Sequence, residues 1–330
     1  MKFWEYLDVN YLSTIFKVGK VLLAISSDFS SNDYVNTITR IKGSVIKHIE
    51  FRKVIDAISE CHNSTKIGCP NNLLLTGSSG SGKSALLTYY KNKYLERYNG
   101  DSVFPILYLK SPLHAKPREL AISLLEQMDV NYRNNLSLSS MTNKVVESIT
   151  QLGIELIMLD DIEHLFDATS LRIHSDSVEW LRMLFDNLQV SVILSGLEVS
   201  NRLLLHNAAF ASRVLSRVTL SPLDEDEYAL FLQTIDSYLP FSEKSWLTEQ
   251  AIEKLYLTTD GLPGYTKEII IKATRLAFEE DRLTDWHIIK TCNLLSRSSQ
   301  NSRNLDFVLL DDQELHTGQY RRKSKMEKFI

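Results

Sequence analysis

Short, continuously apolar runs alternate with stretches of helical spacing along the middle of the chain. Strands that are buried on both faces are apolar throughout, whereas strands with one wet face alternate apolar and polar residues. The alternation of such strands with helices therefore predicts an α/β domain, in which helices cover both faces of a parallel sheet. The five apolar runs are Leu73–Leu75, Phe104–Leu109, Leu156–Leu159, Val190–Leu194 and Val218–Leu220.

Beyond Pro222 the spacing of apolar residues is helical, and no strand pattern is visible. Asp224 and Glu227 have the spacing of a capping box before the first of these helices. The pattern therefore predicts a small all-α lid. The expected organisation is an N-terminal arm that binds a partner, an α/β domain, the helical lid and a polar tail with a basic stretch at Arg321–Lys325. Their ranges are 1–45, 46–222, 223–296 and 297–330.

The composition is that of an ordinary globular protein, with 44% hydrophobic residues among 330 and a formal net charge of −4. Any binding of nucleic acid must therefore come from a local basic patch. Cys61 and Cys69 are eight positions apart and no second pair follows, which fits no standard zinc site. No apolar run reaches membrane-spanning length, and the first residues lack the layout of a signal peptide, so we expect a cytoplasmic protein.

One segment after the first apolar run carries the pattern of a phosphate-binding loop. Glycines let successive backbone N–H groups turn toward phosphates, and the helix that follows adds its positive dipole end. We expect ATP as the nucleotide, with Lys83 on its β- and γ-phosphates and the Ser84 hydroxyl on Mg²⁺. A glycine–serine linker is the alternative, but a linker has no reason to end in Gly82, Lys83 and Ser84. The segment reads Gly77, Ser78, Ser79, Gly80, Ser81, Gly82, Lys83 and Ser84.

The run Leu156–Leu159 ends in two acids, Asp160 and Asp161. In a parallel sheet the carboxyl ends of the strands face the ligand, so Asp160 is expected to hold Mg²⁺. Asp161 is the first candidate for orienting the attacking water, and Glu163 is the second. An acidic helix cap after a strand is the alternative for the pair, and the phosphate loop about eighty residues earlier favours the nucleotide interpretation.

From about residue 50 to residue 223 the chain resembles the AAA+ ATPases, and within them the TniB/TnsC-type transposition regulators. The resemblance implies a homo-oligomer, a ring or a filament, that assembles on double-stranded DNA with ATP and links a target-selection protein to a transposase. The segments that carry it, beside the phosphate loop, are Leu159–Leu165, Val192–Gly196, Phe210–Val214 and Leu220–Leu223.

The same resemblance assigns roles to single positions. Arg213 matches the arginine that acts on a neighbouring subunit, with Arg217 as its rival and a surface salt bridge as the alternative. Ser195 matches the polar sensor after the fourth strand. The family usually has Glu where this chain has Asp161, which implies slow hydrolysis stimulated by DNA or a partner. The lid lacks the usual sensor arginine; Lys267 either replaces it in nucleotide binding or is a solvated helix lysine.

Candidate DNA contacts follow the second and third strands, at loops that an AAA+ ring presents to its lumen. Lys110, Lys116 and Arg118 lie in or beside the first loop, with prolines that stiffen it. Arg172 comes from the second loop, with His174 as a further candidate. Such cations would face phosphates without reading bases; solvated loop charges are the alternative. A helicase or clamp loader, and a signalling or scaffold NTPase that binds no DNA, remain the other candidate functions.

Overall fold

The structure is a computed structural model that describes residues 31–45, 47–98, 105–113, 115–133, 135–167 and 172–298. Most of the predicted arm, residues 1–30, and most of the predicted tail, residues 299–330, lie outside the described residues. The chain divides into two compact units. The larger unit comprises Val45–Glu227 together with Leu262–Gly264, and the smaller one takes in the described parts of the remainder.

The larger unit is built on a five-stranded sheet in which every pair of neighbouring strands is parallel. Its strand order is β2-β3-β4-β1-β5. The predicted parallel α/β fold is therefore confirmed, and each apolar run of the sequence corresponds to one strand. The strands are β1 Leu73–Thr76, β2 Ile106–Lys110, β3 Leu156–Asp160, β4 Ser191–Gly196 and β5 Ser216–Thr219.

Helices cover both faces of this sheet. Successive side chains of a strand point to opposite faces, and in β3 both sets are buried. Met158 packs with α2 and α3, whereas Ile157 and Leu159 pack in a second cluster with α4, α5 and α6. This explains why the strands are apolar without alternation. The helices of the unit are α2 Ile49–Lys66, α3 Lys83–Leu95, α4 Pro117–Gln127, α5 Leu138–Gln151, α6 Ser175–Asn187, α7 Asn201–His206 and α8 Ala208–Ala211.

A buried polar network joins α2, α3 and the residue before β3. The His62 ring lies 3.0 Å from the Tyr90 hydroxyl and 3.1 Å from a Glu155 carboxylate oxygen. Tyr94 donates to the same carboxylate oxygen at 2.6 Å. Burial lowers the pKa of His62, the charge of Lys66 lowers it further, and Glu155 opposes both. The network thus holds an uncharged histidine between two helices.

The smaller unit contains most of the lid and the helix α1 Ser31–Gly43. Its core includes Tyr228, Trp246 and Ile270, and α1 contributes the fully buried Ile41. The lid was expected to be all-α, but β6 Glu243–Ser245 and β7 Arg282–Thr284 form a two-stranded parallel sheet. Three-residue strands are too short to show a period, so the sequence pattern could not reveal them. The remaining helices are α9 Glu225–Asp236, α10 Glu249–Thr259, α11 Pro263–Ala277 and α12 Asp285–Ser298.

Within the described parts of the chain, no helix has both the length and the apolar character needed to cross a membrane.

Candidate nucleotide-binding site

The loop between β1 and α3 has backbone conformations that depend on glycine. Gly80 and Gly82 have φ angles of 79° and 102°, which side-chain-bearing residues rarely adopt. A Cβ atom on Gly77 would lie 2.6 Å from the backbone oxygen of Leu220. The loop therefore packs against the end of β5 with no room for a side chain, and α3 begins directly after it at Lys83.

Two polar groups of this loop fit an anionic ligand. The Lys83 ammonium is buried and donates to the carbonyl oxygens of Gly77 and Ser78 at 2.8 and 3.0 Å. Burial lowers the pKa of Lys83, and nearby carboxylates, Glu163 first, oppose the shift. The Ser81 hydroxyl is buried without a hydrogen-bond partner among the described residues. A buried cation and an unpaired hydroxyl on a glycine-rich turn match what polyphosphate recognition requires.

Asp160 is fully buried at the end of β3 and is held by two hydroxyl groups. Ser195, at the end of β4, donates to one carboxylate oxygen at 2.7 Å, and Tyr108 of β2 donates to the other at 2.9 Å. Burial and the neighbouring Asp160 charge raise the pKa of Tyr108, whose hydroxyl also interacts with Ser84. The two predicted magnesium ligands, Ser84 and Asp160, thus both act on the Tyr108 hydroxyl. Both offer the oxygen atoms that Mg²⁺ prefers.

The two candidates for orienting water differ in their surroundings. Asp161 has a left-handed backbone with φ of 57°, and its carboxylate lies 3.4 Å from the Lys110 ammonium. Glu163 lies in a short 3₁₀ turn, Ile162–Leu165, and accepts a hydrogen bond from the Leu197 backbone N–H at 3.3 Å. Glu163 is therefore tied to the end of β4, whereas Asp161 faces the end of β2.

Glu198 is a fourth carboxylate near Lys83 that the sequence motifs did not single out. It lies in a 3₁₀ turn after β4 and accepts a hydrogen bond from the Ser78 hydroxyl of the phosphate loop at 3.4 Å. The sequence held a signal for Glu198, because acids just beyond the carboxyl end of a parallel strand lie on the ligand side of the sheet.

A comparison with protein-family models identifies the family of this chain. The family described as "Bacterial TniB protein" matches residues 38–223, more than half of the chain. The chain belongs to the TniB family. A comparison with curated proteins found no match.

Among solved structures, the TniB-family chain is similar in fold to ORC and Cdc6 proteins. The Aeropyrum pernix ORC1 protein in complex with DNA superposes with a TM-score of 0.64 at 16% identity, covering 79% of this chain and 69% of that chain. The Aeropyrum pernix ORC2 protein in ADPNP–ADP complexes superposes with a TM-score of 0.61 at 13% identity, covering 84% of this chain and 74% of that chain. Cdc6p from Pyrobaculum aerophilum superposes with a TM-score of 0.58 at 13% identity, covering 73% of this chain and 65% of that chain. These likenesses identify the AAA+ P-loop ATPase fold.

In this TniB-family chain Arg213 is paired with a surface acid. Its guanidinium lies 2.9 Å from Asp186 on α6, and its backbone carbonyl accepts from the Asn72 side chain. The side chain is 38% exposed. Arg217 is exposed on the edge strand β5. The proposed role of either arginine on a neighbouring subunit stays a prediction.

The Lys267 ammonium binds the C-terminal end of α1 in the smaller unit. It donates to the backbone carbonyl of Lys42 at 3.1 Å and to that of Ser44. Burial lowers the pKa of Lys267 to about 8. The helix end offers a partial negative charge that favours the ammonium. Lys267 is therefore not a freely solvated lysine, and its role in nucleotide binding stays a prediction.

The predicted DNA contacts are in different environments. Lys116 is exposed immediately before α4, and Arg172 is exposed where the described part of the chain resumes after β3. Arg118 donates to the Leu136 carbonyl at 2.8 Å, and Lys110 pairs with Asp161. His174 precedes α6. Lys116 is thus more exposed than Arg118, which is half-buried.

Proposed function

We propose that this TniB-family protein is an ATP-controlled switch in DNA transposition. It assembles as a homo-oligomer on double-stranded DNA and links a target-selection protein to a transposase. The observation that carries the proposal is the convergence of Lys83, Asp160 and Ser195 at the carboxyl edge of the sheet, in a chain of the TniB family.

The residues take distinct roles in this proposal. The loop Gly77–Ser84 binds the phosphates, and Lys83 neutralises part of their charge. Ser84 and Asp160 hold Mg²⁺, which polarises the phosphoryl oxygens when it is bound. Asp161 or Glu163 orients the attacking water. Turnover is slow and is stimulated by DNA or a partner, because the shorter side chain of Asp161 extends less far than glutamate.

DNA binding is supported by the local placement of cations in a chain with a net charge of −4. Lys116 is exposed beside Leu113, which is 74% exposed in the same loop after β2. A few phosphate contacts from each subunit are multiplied in a ring or filament, so affinity should fall steeply with salt. A solved protein with this fold, Aeropyrum pernix ORC1, was determined in complex with DNA.

The first experiment measures sedimentation with plasmid DNA with and without Mg·ATP. We expect ATP-dependent binding, its loss in Lys83→Ala, and weaker binding with a flatter salt dependence in Lys116→Ala. Lys93→Ala and Lys53→Ala are the matched controls, since both lysines are solvent-facing and pair with glutamates three residues away. Binding to ATP but never to DNA would instead favour a scaffold NTPase.

The second experiment tests whether neighbouring subunits share a site. Lys83→Ala subunits keep Arg213, and Arg213→Ala subunits keep the phosphate loop. Mixing the two inactive variants should restore part of the ATPase activity, because an arginine supplied in trans contributes roughly 10³–10⁵ in rate. Absence of rescue at every mixing ratio would contradict a shared site at Arg213.

A further inference from the structure

The first turn of α11 lies against the phosphate loop. Pro263 and Gly264, the residues that begin α11, belong to the larger unit together with that loop. The Gly264 backbone N–H donates to the Gly80 carbonyl oxygen at 2.8 Å. The first amides of a helix have no partner within it, and Pro263 at the first position has no N–H to donate. The Gly264 amide therefore has no acceptor within α11 and is available to donate to the loop.

This contact leaves no space for a side chain. A Cβ atom on Gly264 would lie 2.8 Å from the Gly80 oxygen and 2.9 Å from the Gly80 Cα, both backbone atoms. Gly264 lies in a helix, where alanine would be the better helix former. Close approach to Gly80, and not a special backbone angle, is therefore what requires glycine at this position.

The contact fixes one peptide unit of the loop from both sides. The Gly80 carbonyl is bound by Gly264, and the N–H of the same peptide, on Ser81, donates to the Ser78 carbonyl at 3.2 Å. Because a peptide is planar, holding both groups sets the orientation of the whole unit. Gly80 meets this constraint with its φ of 79°.

We propose that Gly264 is a positioning residue for the nucleotide, and that the first turn of α11 holds the phosphate loop in its binding conformation through the backbone. The proposal rests on the proposed function of this site. Since coupling between two sites is reciprocal, nucleotide bound at the loop also stabilises the start of α11.

The test is Gly264→Ala, with Gly43→Ala as the matched control, because a Cβ atom on Gly43 would meet nothing within 4 Å. Calorimetric titration with Mg·ADP and a slowly hydrolysed ATP analogue measures affinity. We expect Gly264→Ala to bind both nucleotides about tenfold more weakly or worse. At saturating ATP its kcat should change by less than about threefold, since the acids after β3 are untouched.

Unchanged affinity in Gly264→Ala, or a fall in kcat at unchanged affinity, would overturn the inference while leaving the proposed function standing. If the wild-type chain itself bound no nucleotide, the proposed function would fail. Hydrogen exchange on the wild-type chain covers the case of a variant that does not fold. Mg·ADP should slow exchange at the Gly264 amide more than at Gly43; equal slowing at both, or none, would overturn the inference.

Discussion

The buried carboxylate of Asp160 depends on two hydroxyl groups, and Ser195→Ala and Tyr108→Phe each remove one of them. Hydrogen bonds to a charged group contribute about 1.5–3 kcal/mol to stability. Ser195 is fully buried with Asp160, so water cannot replace its hydroxyl, and we expect a loss near the upper end of that range. Tyr108 is only partly buried, so its loss should lie near the lower end.

The double variant provides the sharper test. With both hydroxyls gone, Asp160 would keep a buried charge without either of its donors, a state that costs more than the loss of two independent hydrogen bonds. The combined loss should therefore exceed the sum of the single losses by about 0.5–3 kcal/mol. Asp160→Asn in the double-variant background removes the charge and should recover part of that stability.

Urea unfolding at neutral pH, followed by circular dichroism, measures these losses, provided that the dependence on urea concentration is the same in all variants. Hydrogen exchange at the β3 amides shows whether the loss lies in the larger unit. Single losses below about 0.3 kcal/mol, or a double variant that is additive to within that margin, would refute the reasoning.

Four further predictions can be tested by amino-acid substitution. If Asp161 orients the water, Asp161→Asn should trap an ATP-bound oligomer. If Asp161→Asn hydrolyses ATP normally and Glu163→Gln does not, Glu163 orients the water instead. Glu198→Gln removes a negative charge beside the phosphate loop, so titration should show a larger gain in affinity for ATP than for ADP; an equal gain contradicts this. Lys267→Met should speed hydrogen exchange in α1, because it removes the ammonium from the end of that helix. Weaker ATP binding by the same variant would support the predicted role of Lys267 in the site, and unchanged ATP affinity would contradict it. Burial holds the pKa of His62 below its usual 6.5, so the folded chain binds fewer protons than the unfolded one, and stability is lost as the pH falls below 6.5. His62→Gln should reduce the pH dependence of the free energy of unfolding by up to about 1.4 kcal/mol per pH unit, as measured by urea unfolding. An unchanged pH dependence would mean that a group other than His62 is responsible for it.

The parallel sheet could be predicted because its physical cause is local in sequence. A strand with helices on both faces has no wet side, so Leu156–Leu159 carries no polar residue. The phosphate loop could be found for a similar reason, since its eight residues are contiguous and their chemistry is specific to phosphate. In β6 and β7 the pairing depends on a neighbour far along the chain, and three residues are too few to carry a pattern of their own, even though Leu283 of β7 is buried.

The supporting residues of the candidate site could not be predicted for the same physical reason. Tyr108 bonds to Asp160 across β2 and β3, and Gly264 contacts Gly80 from more than 180 positions away. Neither belongs to a motif, because each acts through a neighbour in space. The contact of Lys267 was hidden from the sequence in the same way: its position one turn into α11 fits a sensor, and the structure adds that its ammonium binds the end of α1.

The charge balance of the site bears on why such a protein would act as a switch. Lys83 is the buried cation of the loop, and the carboxylates of Glu163, Asp160, Asp161 and Glu198 all act on it. Lys110 pairs with Asp161, so among these described side chains four carboxylates face two ammonium groups, a balance that opposes a bare triphosphate. A divalent cation changes this balance, because it is the largest local charge wherever it binds. Affinity for nucleotide should therefore depend strongly on Mg²⁺ and on whichever cationic group a neighbouring subunit supplies. A site that is electrostatically incomplete in one subunit favours ATP binding together with assembly, and this coupling is what a switch on DNA requires.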